Sequence, residues 1–188
     1  MDETPWTVVH SEYVRKDRWI GLRADDCLTP EGVRVAPYYV VEYPDWVQIV
    51  ALDDEGCILL VRQYRHGAKS FTVELPAGRM EPGETDPTAT ARRELREETG
   101  YEAASVRLIA SAPLNPASCD NTVHTVLCEG LGYVGGTSDD PTERIEVLRP
   151  PLDEALRRAQ AGQILPMPQT ASLLLALLAT GRLARAQD

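Results

Sequence analysis

The chain has 188 residues, 43% of them hydrophobic and 26% charged, with a formal net charge of −10. That length fits one ordinary domain with a small appendage, and the composition is that of a soluble globular protein. The acidic balance excludes nucleic acid as a bulk electrostatic partner, because phosphate backbones need clustered Lys and Arg. A small phosphate-bearing ligand stays open, since a bound cation inverts the local field.

Met1 leads straight into Asp2-Glu3-Thr4-Pro5, without the basic and apolar regions of a signal peptide. The longest apolar run, Ala171 to Ala179, falls well short of the ~20 residues a membrane span needs and reads as a buried helix. Cys27, Cys57, Cys119 and Cys128 form no C-x-x-C pair, so reduced thiols in a cytoplasmic protein are expected.

Taken in order, residues 6–43 carry strand-like segments at Trp6–Tyr13, Trp19–Leu22 and Val33–Tyr43, and Tyr43-Pro44-Asp45 breaks the pattern. Residues 1–44 are therefore expected to form a small β extension and residues 45–188 the main domain. The extension is too short to bury a core alone, which points to packing on the main domain or on a second subunit in a homodimer. Trp46–Leu52 and Cys57–Tyr64 read as strands joined by the turn Asp53-Asp54-Glu55-Gly56, and Phe71–Leu75 as a third. Strands are also expected near Val106–Ala110, Val123–Leu127 and Arg144–Leu148, with loops at Ala112–Asp120 and Gly132–Thr142. Leu152–Ala161 and Thr170–Leu183 read as helices, giving an α/β chain with a mixed sheet covered on both faces.

Between these strands lies the most informative stretch, Gly78 to Tyr101. Asp86 is a good helix N-cap, Pro87 suits a first turn, and Gly100 is placed to end the helix left-handed. Ala91 and Leu95 form an apolar stripe, whereas Glu94, Glu97 and Glu98 fall at i, i+3 and i+4 on one face. Like charges at that spacing repel, and anions near a helix C-terminus oppose its dipole. A hard divalent cation would turn the repulsion into coordination, all-oxygen ligands suiting Mg²⁺ or Mn²⁺. The competing reading is a solvated acidic face.

The stretch resembles the Nudix box, G-x5-E-x7-R-E-U-x-E-E-x-G-U with U a bulky apolar residue. Gly78 and Glu84 match the first spacing, and Arg93-Glu94-Leu95 through Glu97-Glu98 to Gly100-Tyr101 matches the rest without a gap. One departure is present: eight residues, not seven, separate Glu84 from Arg93, and the alignment makes Thr85 an extra loop residue. The resemblance implies the Nudix α/β/α sandwich, metal ligation by Glu94, Glu97, Glu98 and the Ala77 carbonyl, and a Glu84–Arg93 pairing.

Gln63-Tyr64-Arg65 followed by Glu74-Leu75-Pro76-Ala77-Gly78 looks like the subfamily that cleaves ADP-ribose and related nucleoside diphosphate sugars. That likeness puts Arg65 on the substrate diphosphate, where its planar fork suits two oxygens at once, and Glu74 at the pocket; a surface salt bridge is the alternative for Arg65. Pro116, sixteen residues after Gly100, has the spacing of ADP-ribose-type members, and Asn115 and Asn121 flank it as sugar contacts or as turn formers. The family takes a further carboxylate from a late loop; Glu143 is the best positional match for the general base, with Asp139, Asp140 and Glu146 as rivals and a box glutamate as the other option. Trp19 resembles the N-terminal aromatic that stacks on a nucleobase in dimeric members, a core tryptophan being the other reading. Trp46 reads as core, and His10, His66 and His124 show no ligand spacing.

These residues together imply a Mg²⁺-dependent diphosphatase that splits a nucleoside diphosphate sugar into a nucleoside monophosphate and a sugar phosphate. Its rivals are a Nudix hydrolase of nucleoside triphosphates or dinucleotide polyphosphates and a non-catalytic nucleotide-sugar sensor. The Gln63-Tyr64-Arg65 segment and Pro116 oppose the first, and the full set of box carboxylates opposes the second.

Overall fold

Strand β4, Trp46–Leu52, shows how the main unit is layered in the computed structural model, which describes residues 4–136 and 144–183. Its side chains alternate strictly. Val47, Ile49 and Ala51 join a core cluster with Ala91 and Leu95, whereas Val50 and Leu52 join a second cluster with Ala155, Leu173, Ala176 and Leu177. Strand β9, Thr122–Tyr133, alternates in step, Val126 and Cys128 going to the first cluster and Leu127 to the second. A period of two thus feeds helix α1, Pro87–Thr99, on one face and helices α2, Leu152–Gln160, and α3, Met167–Ala179, on the other. This is the expected α/β/α sandwich.

The sheet order is β7-β4-β9-β8, with β7 at Ala77–Arg79 and β8 at Tyr101–Pro113. β4 runs parallel to β9 and antiparallel to β7, so the sheet is mixed. A second sheet, β10-β5-β6, pairs Leu60–Arg65 with Ser70–Glu74 and Glu146–Leu148. Asp53–Gly56 does make a tight turn, closed by the Leu52–Ile58 bridge, but β4 and β5 then part into different sheets. Helix α3 begins at Met167, one turn earlier than expected, because Pro166 and Pro168 suit a helix start. Trp46, expected in the core, is 37% exposed at the first position of its strand.

By its contacts the chain falls into two units, residues 1–44 with 113–122, and residues 45–112 with 123–188. The first holds an antiparallel sheet, β1-β2-β3, made of Thr7–Lys16, Gly21–Leu28 and Arg34–Glu42. Residues 113–122 join it through Val41 N–H donating to the Ser118 carbonyl at 2.7 Å and Tyr38 O–H to the Ala117 carbonyl at 2.6 Å. No described helix is long and apolar enough to cross a membrane.

Candidate active site

Helix α1 is built as its sequence dictates. The Asp86 carboxylate caps the Thr88 amide, Pro87 opens the first turn, and Gly100 closes the helix at φ 73°. Ala91 and Leu95 are fully buried, which turns Glu94 and Glu98 toward β7. Glu98 accepts a hydrogen bond from the Ala77 amide at 3.0 Å. Glu94 packs so tightly on Gly78 that a methyl group there would come within 1.9 Å of its carboxyl carbon.

The repulsion expected among these carboxylates is relieved by Arg93. Its Nη1 donates to Glu94 at 2.7 Å and to Glu97 at 3.2 Å, while Nη2 reaches Glu84 at 3.4 Å and the Arg79 carbonyl at 3.2 Å. Burial would favour a neutral Arg93, but the Glu94 and Glu84 carboxylates outweigh it and hold the guanidinium firmly charged. Its Nε is buried and has no hydrogen-bond partner. Glu84 also accepts from the Glu81 amide at 2.7 Å and from the Thr90 hydroxyl at 3.0 Å. These bonds, that from Glu81 foremost, hold its carboxyl below the ordinary value. The extra residue Thr85 therefore leaves the Glu84–Arg93 contact intact, as a loop insertion ahead of an unshifted helix.

A divalent cation fits this set. The donors are carboxylate oxygens, the glycine at 78 leaves room for Glu94 beside the strand, and Glu94 and Glu97 already converge on one positive group. As the side chains stand, no three His, Cys, Asp or Glu residues among the described ones are gathered round a single point. Arg93 lies between the carboxylates instead.

Glu74 ends β6, three residues before Ala77, and is 5% exposed. Arg65 grips it with two bonds, 2.9 Å and 2.8 Å, so the ion pair weighed against a phosphate role for Arg65 is formed. Burial pushes the Glu74 carboxyl up, yet the bonds from Arg65 and Thr72 outweigh it and hold the group below its usual value. Gln169 of α3 completes the cage, with its amide nitrogen 3.4 Å from Glu74 and its oxygen accepting from the Leu75 amide at 2.7 Å. Sequence reasoning assigned nothing to Thr72 or Gln169. The signal was there for Gln169: it shares a helix face, at i, i+3, i+4 and i+7, with buried Ser172, Leu173 and Ala176.

The other expected residues are dispersed. Trp19 and Pro116 belong to the N-terminal unit. Trp19 is 63% exposed, which rules out the core reading, and the Arg18 guanidinium lies 4.4 Å from its ring centroid. Asn115 acts as a turn former, its carbonyl accepting from the Ser118 and Cys119 amides. Asn121 is buried and donates to the Pro44 carbonyl at 3.4 Å, and its Oδ1 has no hydrogen-bond partner. Glu143, Asp139 and Asp140 lie outside the described residues. Glu146 pairs with Arg62 at 2.9 Å. A cavity of about 370 Å³ lies beside α1, lined by Arg92, Arg93, Arg96, Glu102 and Ala103. Arg92 and Arg96 are there bonded to the Ala103 carbonyl and to Glu102.

Residues 43–168 match the NUDIX domain model, and residues 6–41 match the nucleoside diphosphate sugar hydrolase N-terminal domain. The chain belongs to the Nudix family. Among its Nudix relatives, an ADP-ribose pyrophosphatase of Bacillus subtilis is 33% identical over 83% of this chain and 84% of its own length. A methanol dehydrogenase activator of Bacillus methanolicus is 34% identical over 79% and 80%. A solved structure of an ADP compounds hydrolase superposes with a TM-score of 0.83 at 24% identity, covering 96% of this chain and 98% of the other, and supports the Nudix fold.

Proposed function

We propose that this Nudix protein hydrolyses the diphosphate bond of a nucleoside diphosphate sugar such as ADP-ribose, releasing a nucleoside monophosphate and a sugar phosphate. The observation that carries the reading is the carboxylate row of α1 set against β7, Glu94 on Gly78 and Glu98 on the Ala77 amide. The Bacillus subtilis relative and the match to a nucleotide-sugar hydrolase N-terminal domain support the substrate class.

Glu94, Glu97, Glu98 and the Ala77 carbonyl are the groups to hold a divalent cation, Mg²⁺ with Mn²⁺ as the alternative. Bound there, the ion supplies charge neutralisation for the diphosphate and polarises the attacking water. Arg93 orients Glu94 and Glu97. Arg65, held on Glu74 through Nε and Nη2, is the proposed diphosphate contact; Trp19 is the proposed nucleobase contact, and Glu74 and Pro116 are the other proposed substrate-binding residues. Glu143 is the proposed general base, with Glu97 as the box alternative.

The protein is further proposed to be a cytoplasmic homodimer. All four thiols are free, which suits a reducing compartment. Edge strand β1 is exposed along its whole length and carries Val8, Val9, Tyr13 and Val14, an open edge of the kind that pairs with another chain. The deciding experiment is a panel of nucleotide sugars, nucleoside triphosphates and dinucleotide polyphosphates assayed with Mg²⁺, with the products identified. Monophosphate and sugar phosphate from ADP-ribose are expected. Turnover confined to triphosphates, or none with any metal, overturns the reading.

A further inference from the structure

The segment Glu74 to Ala77 is gripped from three directions. Leu75 N–H donates to the Gln169 oxygen at 2.7 Å, the Pro76 carbonyl accepts from Ile49 N–H at 2.9 Å, and Ala77 N–H donates to Glu98 at 3.0 Å. Pro76 has no N–H to satisfy. Of these three partners Gln169 is the most distant in sequence, 94 residues from Leu75, and is itself 6% exposed. Its orientation is dictated by its partners. Leu75 N–H only donates, so the amide oxygen must face it, which leaves the NH₂ for the Glu74 carboxylate.

We infer that Gln169 is a positioning residue of the active centre. By tying Leu75 and Glu74 to α3, it fixes where Ala77 and Gly78 meet Glu98 and Glu94 on the opposite face of the sheet. The assignment rests on the reading of those residues given above. The competing role is simple anchoring of α3, and the same helix contains the control. Ser172, one turn on and 3% exposed, donates to Gln48 at 2.7 Å and lies 2.7 Å from the Thr125 hydroxyl. It too ties α3 to the sheet, with its own bonds going to Gln48, the β4 residue paired with Ala77, and to Thr125, not to the 74–77 segment itself.

The test compares Gln169→Leu, Gln169→Glu and Ser172→Ala in the full chain. Hydrogen exchange of the Leu75 and Ala77 amides and Mn²⁺ affinity by calorimetry are measured without substrate, and kcat and KM are measured with ADP-ribose. Gln169→Leu should speed exchange at both amides and weaken Mn²⁺ binding by about tenfold, the usual cost of losing a group that orients metal ligands. It should also lower kcat by more than about tenfold, with KM within about threefold. Gln169→Glu keeps an oxygen for Leu75, so protection there should survive while kcat still falls, because the donor to Glu74 is gone. Ser172→Ala should lower the melting temperature and leave exchange, Mn²⁺ affinity and kcat within about twofold of wild type. Equal effects of Gln169→Leu and Ser172→Ala on exchange and Mn²⁺ affinity overturn the proposal. Should Gln169→Leu not fold, an unchanged kcat in Gln169→Glu overturns it. A wild type inactive on every nucleotide sugar would overturn the proposed function, while exchange and Mn²⁺ affinity would still decide the role of Gln169.

Discussion

Gly78 and Glu94 occupy one space between them: a Cβ at residue 78 would lie 1.9 Å from the Glu94 carboxyl carbon and 2.1 Å from one of its oxygens. The obstructing atoms are the end of a flexible side chain, not backbone. Gly78→Ala should therefore fold, with Glu94 swung away from β7. Its melting temperature is expected within about 4 °C of wild type, the equivalent of about 1 kcal/mol at this chain length. Activity should fall at least about a hundredfold and not return at high Mg²⁺. A thermal melt beside a Mg²⁺ titration of activity checks both halves, and an active Gly78→Ala protein would remove Glu94 from the metal site.

Glu98→Gln separates charge from shape. A Gln oxygen can still accept the Ala77 amide, so the fold should be unaffected, while one anionic ligand is lost. Turnover at saturating Mg²⁺ is expected to drop by two orders of magnitude or more, about 3 kcal/mol of barrier. Removing metal from the wild type with a chelator should produce the same loss, reversed by adding Mg²⁺. Near wild-type turnover in the variant would contradict the assignment.

Arg93 serves four acceptors at once, three carboxylates and the Arg79 carbonyl. Lysine keeps the charge but lacks the fork. Arg93→Lys should thus leave Glu84 or Glu97 uncontacted and cost about 1–2 kcal/mol of stability through the lost charge-assisted bonds. Mg²⁺-dependent kcat should fall more than about tenfold, because the carboxylates are no longer held in register. Denaturant melts and initial rates would show it, and a variant equal to wild type in both would mean that Arg93 orders nothing.

The low native pKa of Glu74 gives a prediction with a definite sign. A depressed carboxyl contributes stability that is fully present above the unfolded value, about 4.3, and is lost as pH falls through the native one. Glu74→Gln should be less stable than wild type at pH 7 by about 1–3 kcal/mol, from weakened bonds to Arg65 and Thr72. The gap should close below about pH 4, as the wild-type carboxylate takes up its proton. Melts of both proteins from pH 7 to pH 3 test this; a gap that stays constant with pH would show that Glu74 is not held ionised by its partners.

Deleting Thr85 should be tolerated. The helix begins after it, at the Asp86 cap and Pro87, so Ala91 and Leu95 keep their burial and Glu94, Glu97 and Glu98 their face. A melting temperature within about 4 °C of wild type is expected, with kcat changed modestly as the loop retightens on Glu84. A large loss would place Thr85 within the helix register, since one residue is worth about 100° of rotation.

Helix α1 was legible because everything that makes it is local: cap, first-turn proline, apolar spacing and terminal glycine lie within one short stretch. The carboxylate face was legible for the same reason. Strand β7 was not, since three residues around a glycine carry no period and become a strand only by pairing with β4. The relief of the carboxylate repulsion was half visible, in the Glu84-to-Arg93 spacing, but the convergence of Glu94 and Glu97 on the same guanidinium is a matter of rotamers. Gln169 and Glu74 lie 95 residues apart, and nothing in either neighbourhood names the other. Pro116 was legible as part of a loop, yet the membership of 113–122 in the N-terminal unit rests on backbone bonds to Val41 that no local pattern announces.

That borrowed loop has a consequence for synthesis. Residues 1–44 leave the ribosome ahead of residues 45–122, but the unit they belong to is complete only when Thr122 has been added. At about 5–20 residues per second, the wait is about 4 to 16 s. Throughout it, Val41 N–H and the Tyr38 hydroxyl lack their partners at Ser118 and Ala117, and a sheet edge rich in valine and tyrosine stands open to the cell. Residues 1–44 thus wait on a segment translated well after them, so a chaperone that holds extended β chains would meet this protein at β3.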